Sequence, residues 1–132
     1  MIVREVARAA GVSPEAVRFY TRIGLLQPSR DRRNGYRMFS DWDVRVVRFT
    51  KRAQGLGFTL SEIKTLVHTA KDGATPCPMA REVIARRIAD TDRELDALVA
   101  LRERMVRAVA RWRRRPDRLP DGNAICHLIE ST

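Results

Sequence analysis

The sequence predicts a mainly α-helical chain with a small N-terminal head, one long helix and a short C-terminal segment. Three observations support this prediction: two short helical patterns separated by a glycine, an Asn-Gly pair typical of a hairpin directly after them, and an apolar repeat of 4 and 3 residues in the second half. The expected boundaries are 1–70 for the head, 71–78 for a linker, 79–115 for the long helix and 116–132 for the tail.

The head begins with two helices joined by a tight turn. Val3 and Val6 are spaced to lie on one apolar helical face, and Gly11 interrupts that helix. Ser13 is a good N-cap for the second helix, because Pro14 then takes the first helical position, where a missing N–H costs nothing. This order predicts a helix-turn-helix, whose second helix enters the major groove of DNA.

The second helix has a mixed surface. Val17 and Phe19 are expected to need burial, which leaves Arg18, Tyr20 and Arg22 as side chains that face a partner. A β-hairpin is expected to follow over Arg30–Phe39, with Asn34-Gly35 as its turn. Basic residues stand on or near this hairpin: Arg30, Arg32, Arg33, Arg37 and Arg45. A basic ribbon beside a recognition helix indicates a wing that grips phosphates.

Two more helices complete the head. Ser40 with Asp43, and Thr59 with Glu62, each form a capping box at a helix start. The first of these helices carries apolar residues at Val44, Val47, Phe49 and Ala53, and basic residues that could add phosphate contacts at Arg48, Lys51 and Arg52.

Charge and composition narrow the classes of function. The 132 residues carry a formal net charge of +10, and residues 1–70 hold 13 basic and 6 acidic side chains, against 13 and 10 in residues 71–132. The excess on the head favours a nucleic-acid partner. No apolar run approaches a membrane span and no signal peptide opens the chain, so a cytoplasmic, nucleoid-associated protein is expected. No catalytic nucleophile–base pair or phosphate-binding glycine loop is present, which argues against an enzyme.

Several short runs, in this order and spacing, resemble the N-terminal signature of the MerR family of transcriptional regulators: Gly11-Val12-Ser13, Val17-Arg18-Phe19-Tyr20, Gly24-Leu25-Leu26 and Asn34-Gly35-Tyr36-Arg37. One departure is Thr21, where the family usually carries Glu. The resemblance implies a winged helix-turn-helix head that binds double-stranded promoter DNA and works with RNA polymerase. We predict DNA contacts from Ser13, Arg18, Phe19, Tyr20, Arg22, Arg33, Tyr36, Arg37 and Arg52.

The long helix is expected to pair with a second copy. Apolar or small residues recur at Ile84, Ile88, Thr91, Leu95, Leu98, Met105, Val109 and Trp112, with a gap at Arg102. This is the pattern of a coiled-coil seam, and a lone helix cannot bury such a stripe. A homodimer is therefore predicted. The seam does not fix the orientation of the two helices; the family resemblance implies an antiparallel pair.

The two cysteines are candidates for an effector site. Cys77 is expected at the N-cap of the long helix, where a thiolate is favoured, and Cys126 lies in the tail. In the antiparallel dimer that the resemblance implies, Cys77 of one subunit and Cys126 of the other share one site. This resembles the MerR members that sense soft divalent metals, since members that sense monovalent coinage metals tend to carry Ser at the first position.

The ligand set departs from that branch, which has two cysteines in the C-terminal loop. No cysteine stands near 111–117, and His127, Asp117 or Asp121 are the candidate replacements. Two thiolates alone would suit mercury, whereas two thiolates with His127 and water would suit zinc, cadmium or lead. Alternatively, Cys126 is a small buried hydrophobe. Two other functions stay open: a sensor of oxidants or electrophiles through Cys77 and Cys126, and an architectural DNA-binding module without an effector.

Overall fold

The computed structural model describes residues 1–132. The helices are α1 (Val3–Ala10), α2 (Pro14–Arg22), α3 (Asp41–Gly55), α4 (Leu60–Lys71), α5 (Cys77–Trp112) and α6 (His127–Glu130), and the strands are β1 (Ser29–Arg30) and β2 (Arg37–Met38). The prediction of a mainly helical chain with a helix-turn-helix head, a wing and a long helix is confirmed. None of its helices combines the length and the apolar character that crossing a bilayer requires.

The chain divides into two compact units, Met1–Arg87 and Ile88–Thr132. The first unit contains the head and the first part of α5, and one hydrophobic core joins its helices. Fully buried side chains at the centre of that core include Val6, Val17, Val47, Ile63 and Leu66. They come from α1, α2, α3 and α4, so burial of one apolar face from each helix fixes the recognition helix on the rest of the head.

The helix-turn-helix forms as its sequence predicts. Gly11 ends α1 in the left-handed conformation at φ 71°, which favours glycine because it has no Cβ. Ser13 caps α2, its hydroxyl oxygen accepting a hydrogen bond from the backbone N–H of Ala16 at 3.1 Å. These two local devices set the turn between the helices.

The pattern of burial on α2 differs from the prediction. Tyr20 is buried at 8% exposure, whereas Phe19 is 39% exposed, so the expectation that Phe19 is buried and Tyr20 faces a partner is wrong. The physical reason is the helical period: Tyr20 lies three residues after the fully buried Val17 and therefore on the same face. Phe49 on α3 is likewise 39% exposed instead of joining the core.

The strands of the wing are shorter than predicted, and its loop is longer than the turn of a two-residue hairpin. Ser29 pairs with Met38 and Arg30 with Arg37 in antiparallel register. The N–H of Asp31 donates to the carbonyl oxygen of Tyr36 at 2.8 Å and closes the loop. The turn therefore contains four residues, 32–35. Gly35 alone among them has a positive φ, at 71°, so the turn is not the two-residue Asn-Gly type that requires positive φ at both positions.

Both predicted capping boxes are present. At α3, the Ser40 hydroxyl accepts from the N–H of Asp43 while the Asp43 carboxylate accepts from the N–H of Ser40. At α4, the side chains of Thr59 and Glu62 make the same exchange. Glu62 also forms an ion pair with Arg87, which ties α4 to α5 within the first unit.

The capping box of α4 predicts an acid-sensitive contribution to stability. Hydrogen bonds from the Thr59 backbone and hydroxyl, together with Arg87, hold the pKa of Glu62 below its usual value of 4.5. A carboxyl group whose pKa is lowered by folding stabilises the folded state at pH values above its unfolded-state pKa. This stabilisation is lost as the pH falls through the folded-state pKa. Glu62→Gln should therefore lower the free energy of unfolding by about 1 kcal/mol at neutral pH. Urea unfolding at pH 7 and pH 3 measures this, and a difference between the two proteins that persists undiminished at pH 3 would contradict it.

The long helix begins two residues earlier and ends sooner than predicted. Its first intrahelical bond runs from the N–H of Ala80 to the carbonyl of Pro76, so Pro76 is the N-cap and Cys77 the first helical residue. The expectation that Cys77 is the N-cap is therefore wrong by one position. Lys71 is the last residue of α4, and the connection is confined to 72–76.

The second unit holds most of α5 and the tail. Helix α5 ends at Trp112, with 113–115 in a turn. The short helix α6 folds back on the end of α5. A hydrogen bond joins them there, from the Trp112 indole Nε1–H to the carbonyl oxygen of Leu128 at 3.0 Å. An apolar groove of about 490 Å3 lies at this end of the helix, between side chains that include Met105, Val109, Trp112 and Ile129.

Candidate DNA interface and effector site

The exposed face of α2 carries the side chains best placed to read DNA. Arg18 is half exposed and pairs only loosely with Glu15, at 3.6 Å, across one helical turn. The Arg22 guanidinium lies over the ring of Phe19, 5.6 Å from its centroid. A guanidinium close to an exposed aromatic ring keeps N–H donors that can bond a phosphate or a base edge.

Tyr20 does not share this exposed face. Its low exposure places it in the core of the head, and the backbone carbonyl of Tyr20 accepts from the N–H groups of Leu25 and Leu26. Its placement suits it to holding α2 in position. Thr21, the departure from the family pattern, donates its hydroxyl to the carbonyl of Val17 at 2.8 Å within α2.

The wing presents exposed polar and aromatic groups from a fixed loop. Tyr36 is 64% exposed, and its backbone N–H donates to the Asn34 side chain at 2.9 Å. Arg33 is exposed beside it, whereas Arg37 on β2 is partly buried. Arg30 is used within the wing, since its guanidinium donates to the carbonyl of Gly35 at 3.0 Å. The loop conformation is thereby set before any ligand arrives.

Three cations of the head bind backbone carbonyls at helix ends. Arg48 donates to Ala9 at 2.8 Å, and Lys51 donates to Gly11 at 3.1 Å. Lys64 donates to Ile23 at 2.9 Å. Cations at the carboxyl ends of α1 and α2 complement the helix dipoles and satisfy free carbonyls.

The sequence suggests Arg48 and Lys51 as phosphate contacts and gives no sign of a role for Lys64. Each of the three cations bonds a carbonyl about 40 positions away in the chain. No local pattern in the sequence reports such a pairing. Arg52, the remaining candidate on α3, is exposed and forms no ion pair.

The candidate effector residues fall in different units. Cys77 is a free, exposed thiol in the first turn of α5, and its N–H donates to the Thr75 hydroxyl at 3.2 Å. Cys126 is a free, half-buried thiol at the N-cap of α6, and its N–H donates to the Glu130 carboxylate at 2.7 Å. Within the single chain Cys126 is therefore less covered than the small buried hydrophobe of the alternative would be.

Two further polar side chains of the tail, Asp121 and His127, lie near each other, and His127 follows Cys126 in the sequence. His127 is 18% exposed, and its Nε2 is buried without a hydrogen-bond partner, 3.5 Å from an Asp121 carboxylate oxygen. The N–H groups of Asn123 and Ala124 lower the pKa of Asp121, and His127 acts in the same direction. A carboxylate and an imidazole are donor types that a borderline metal ion accepts.

One chain does not supply a complete site. No three His, Cys, Asp or Glu side chains are grouped closely enough within it to hold a metal ion. Of the candidate replacements for the missing loop cysteine, the structure places Asp121 beside His127 and leaves Asp117 in the exposed loop without an ion pair.

Comparison with known proteins agrees with this architecture. The family described as "MerR HTH family regulatory protein" matches residues 1–69, and "MerR, DNA binding" matches residues 44–108. The mercuric resistance operon regulatory protein of Bacillus cereus is 32% identical over 131 residues, which cover 98% of this chain and 94% of that protein. The heavy metal-dependent transcription regulator 2 of Rhizobium meliloti is 33% identical over 98 residues, 74% of this chain and 67% of that protein.

Two solved structures extend the comparison. PbrR691 of Ralstonia metallidurans in complex with lead(II) has the same fold, with a TM-score of 0.77 at 20% identity over 100% of this chain and 99% of that chain. MerR of Bacillus megaterium in complex with mercury(II) matches with a TM-score of 0.56 at 32% identity, over 95% and 93% of the chains. The matched family consists of regulators of transcription, not enzymes. The chain therefore belongs to the MerR family of DNA-binding transcriptional regulators.

Proposed function

We propose that this protein is a homodimer that changes the shape of promoter DNA when a soft divalent metal ion binds to Cys77 of one subunit and Cys126 of the other. The observation that carries the proposal is the placement of the two free thiols, one in the first turn of α5 and one at the N-cap of α6. Relatives named for mercury and heavy metals, and a structural neighbour that holds mercury, support the metal class.

Dimerisation is supported by the apolar stripe of α5. Ile88, Leu95, Leu98, Met105 and Val109 are each between 43% and 63% exposed in the single chain. Neighbouring Val99, Leu101 and Val106 widen the stripe. Contiguous exposed apolar surface of this extent indicates an interface, and its 4–3 spacing suits a second helix.

Charge along α5 favours the antiparallel pairing. Residues 90–96 carry four carboxylates and one arginine, whereas residues 102–107 carry three arginines and one carboxylate. The seam from Ile84 to Trp112 is centred near Leu98, so an antiparallel pair places the acidic part of one helix opposite the basic part of the other. A parallel pair would place like charges together, which disfavours it.

The two thiols are chemically suited to the proposed site. Cys77 is exposed in the first turn of α5, so its sulfur is accessible to a metal ion. Cys126 of the partner would bring with it the adjacent His127, a candidate imidazole ligand. Two thiolates, one imidazole and a water suit zinc, cadmium or lead, and two thiolates alone suit mercury.

The proposed action on DNA requires that both heads of the dimer bind the same duplex. The recognition helices would occupy successive major grooves while the wings hold phosphates, through Ser13, Arg18, Phe19, Arg22, Arg33, Tyr36, Arg37 and Arg52. Metal binding at the subunit interface would shift the heads relative to each other, and the cost of deforming DNA would be met by these contacts. RNA polymerase would then engage the reshaped promoter, so the protein would act at the nucleoid in the cytoplasm.

The test is a titration of the reduced protein with zinc, cadmium, lead and mercury. We expect at least one ion to bind tightly, with thiolate-to-metal absorbance that saturates at one ion per paired Cys77 and Cys126. Cys77→Ser and Cys126→Ser should each remove this absorbance and the metal response of the promoter, while Thr75→Ser, a neighbouring hydroxyl-preserving change, should keep both. If the thiolate-to-metal absorbance saturated neither in the wild-type protein nor in the variants, the metal assignment would be overturned.

A second candidate function rests on the exposure of Cys77. A free thiol at a helix N-terminus and open to solvent is also the setting of an oxidant or electrophile sensor. In that case peroxide would change promoter output and join Cys77 to Cys126 of the partner as a disulfide, with peroxide as the oxidant. A covalent dimer on a non-reducing gel, without tight metal binding, would favour this function.

A further inference from the structure

The carboxyl end of α2 is tied to α4 by a single lysine. The carbonyl of Ile23, the C-cap residue of α2, receives no backbone N–H. The Lys64 ammonium donates to this carbonyl at 2.9 Å, although the two residues are 41 positions apart in the sequence. A cation there satisfies a free carbonyl and complements the negative end of the α2 dipole. No other side-chain hydrogen bond or ion pair joins α2 to α4, so Lys64 makes the only polar link between them.

The residue after Ile23 makes room for this ammonium. Gly24 has a positive φ of 81°, which already favours glycine. A Cβ added at Gly24 would also lie 2.9 Å from Lys64 Nζ, too close for the lysine to keep its place. Because the ammonium is the far end of a flexible side chain, it would move away from the Ile23 carbonyl. Glycine at this position therefore permits the hydrogen bond as well as the turn.

Helix α4 gives Lys64 a fixed base. Ile63 and Leu66, on either side of Lys64 in the sequence, are buried in the core of the head at 0% and 2% exposure. Glu62 completes the capping box of α4 and pairs with Arg87 of α5. The partly buried Lys64 side chain thus leaves a helix that is held from two directions. Its ammonium can set the position of α2, which packs most extensively on α1.

Resting on the proposed function for the placement of α2 in the major groove, we propose that Lys64 is a positioning residue for DNA recognition. Its ammonium fixes the carboxyl end of α2 relative to α4 and so sets the angle at which Arg18 and Arg22 meet base edges. Arg22 directly precedes the Ile23 carbonyl that Lys64 binds. Hydrogen bonds to base edges need donor–acceptor distances of roughly 2.7–3.2 Å, so a small rotation of α2 removes sequence readout. Attraction to phosphates depends far less on that angle.

The competing role for this lysine is a direct phosphate contact. The ammonium of Lys64 is already used by a protein carbonyl, and the side chain is partly buried. Lys71, at the other end of α4, is exposed and makes no hydrogen bond or ion pair. Lys71 is therefore the matched control, because it is a lysine of the same helix without the link to α2.

The Lys64→Met variant tests the proposal, since methionine keeps an unbranched apolar side chain and has no donor. The probe is the duplex that the wild-type protein selects from a random-sequence pool, and poly(dI-dC) measures non-specific binding. Affinity for the selected duplex should fall about tenfold, as for one mismatched base pair, while affinity for poly(dI-dC) stays within about a factor of two. Lys64→Arg, which keeps a cationic donor, should recover most of the loss. Lys71→Met should bind both probes as the wild type does.

Salt dependence separates positioning from phosphate contact. The slope of log affinity against log salt concentration on the selected duplex should be equal in Lys64→Met and Lys71→Met. A slope less steep by about 0.9 in Lys64→Met alone would make Lys64 a phosphate contact and overturn the proposal. Circular dichroism fixes a temperature at which every variant is folded. A lower unfolding temperature with an unchanged ratio of specific to non-specific affinity would make Lys64 a purely stabilising residue and also overturn it.

A second variant tests the same link from the side of α2. Gly24→Ala should lower the affinity ratio strongly in the wild-type background, because its Cβ displaces the ammonium. In the Lys64→Met background the further loss should be several-fold smaller, since only backbone strain remains. Equal losses in both backgrounds, or a Lys64→Arg variant no better than Lys64→Met, would contradict the proposal. A wild-type protein that selects no duplex would overturn the proposed function and this role with it, whereas normal selection by Lys64→Met overturns this role alone.

Discussion

The Leu98→Glu variant will have the mass of a single chain in solution, whereas the unsubstituted protein will have the mass of two. Leu98 is 63% exposed in one chain and lies at the middle of the α5 seam, so in an antiparallel pair the two copies meet. Two carboxylates in that apolar contact would be desolvated and would repel each other, at a cost of several kcal/mol. Sedimentation or light scattering measures the mass.

The loss of the dimer should carry the other functions with it. Operator affinity should fall by more than tenfold, because two linked heads bind two half-sites far better than one. Ala100→Glu is the matched control: it adds the same charge to an exposed position on the opposite side of the helix, two residues from the seam. If Leu98→Glu remained a dimer, or if Ala100→Glu dissociated equally, the proposed seam would be wrong.

Arg18→Ala and Tyr36→Ala should each lose operator binding in a gel shift at moderate salt. Arg18 stands on the exposed face of α2 and Tyr36 on the tip of the wing. In the proposed complex the first variant removes a groove contact and the second a contact to the DNA backbone. Each should cost about 1–3 kcal/mol of binding free energy, roughly a 5- to 150-fold loss of affinity. Both side chains are exposed, so thermal unfolding should move little.

Arg81→Ala is the control for this pair of variants. Arg81 is an exposed arginine in the first part of α5, and its removal subtracts the same charge outside the proposed DNA surface. Its operator affinity should stay within about a factor of two of wild type, as expected for screened charge alone. Unchanged affinity in both Arg18→Ala and Tyr36→Ala would remove α2 and the wing as the DNA interface.

The parts of the fold that depend on local chemistry could be predicted from the sequence. Gly11, Ser13 and the capping boxes at Ser40 and Thr59 each act over three or four residues, and the structure shows all of them as expected. The apolar repeat of α5 identified the long helix for the same reason, because its period is visible along one element.

The predictions were wrong where the answer depends on which side of a helix faces the core, or on a residue that is distant in the sequence. Phe19 and Tyr20 are adjacent aromatics, and only the position of Val17 on the buried face determines which of the two is covered. The carbonyls that bind Arg48 and Lys51 lie 39 and 40 residues away along the chain. Nothing in the local composition distinguishes such a cation from one that meets a phosphate.

The candidate effector site could be predicted only as a set of residues. Cys77, Cys126, His127 and Asp121 were identified by residue type and position, and the structure places the Asp121 carboxylate 3.5 Å from His127 Nε2. In the proposed site their assembly depends on a second subunit, which neither the sequence pattern nor a single chain contains. The free Nε2 of His127 was not foreseeable either, since it depends on burial in the folded tail.

Subunit complementation tests the central claim, that each effector site is built from two chains. Cys77→Ser and Cys126→Ser protomers with different affinity tags are co-expressed, and the heterodimer is purified and titrated with cadmium or mercury. The account predicts that both homodimers fail to bind while the heterodimer regains one site, since one Cys77 and one Cys126 still face each other across the interface. A heterodimer that binds no more metal than the homodimers would contradict it.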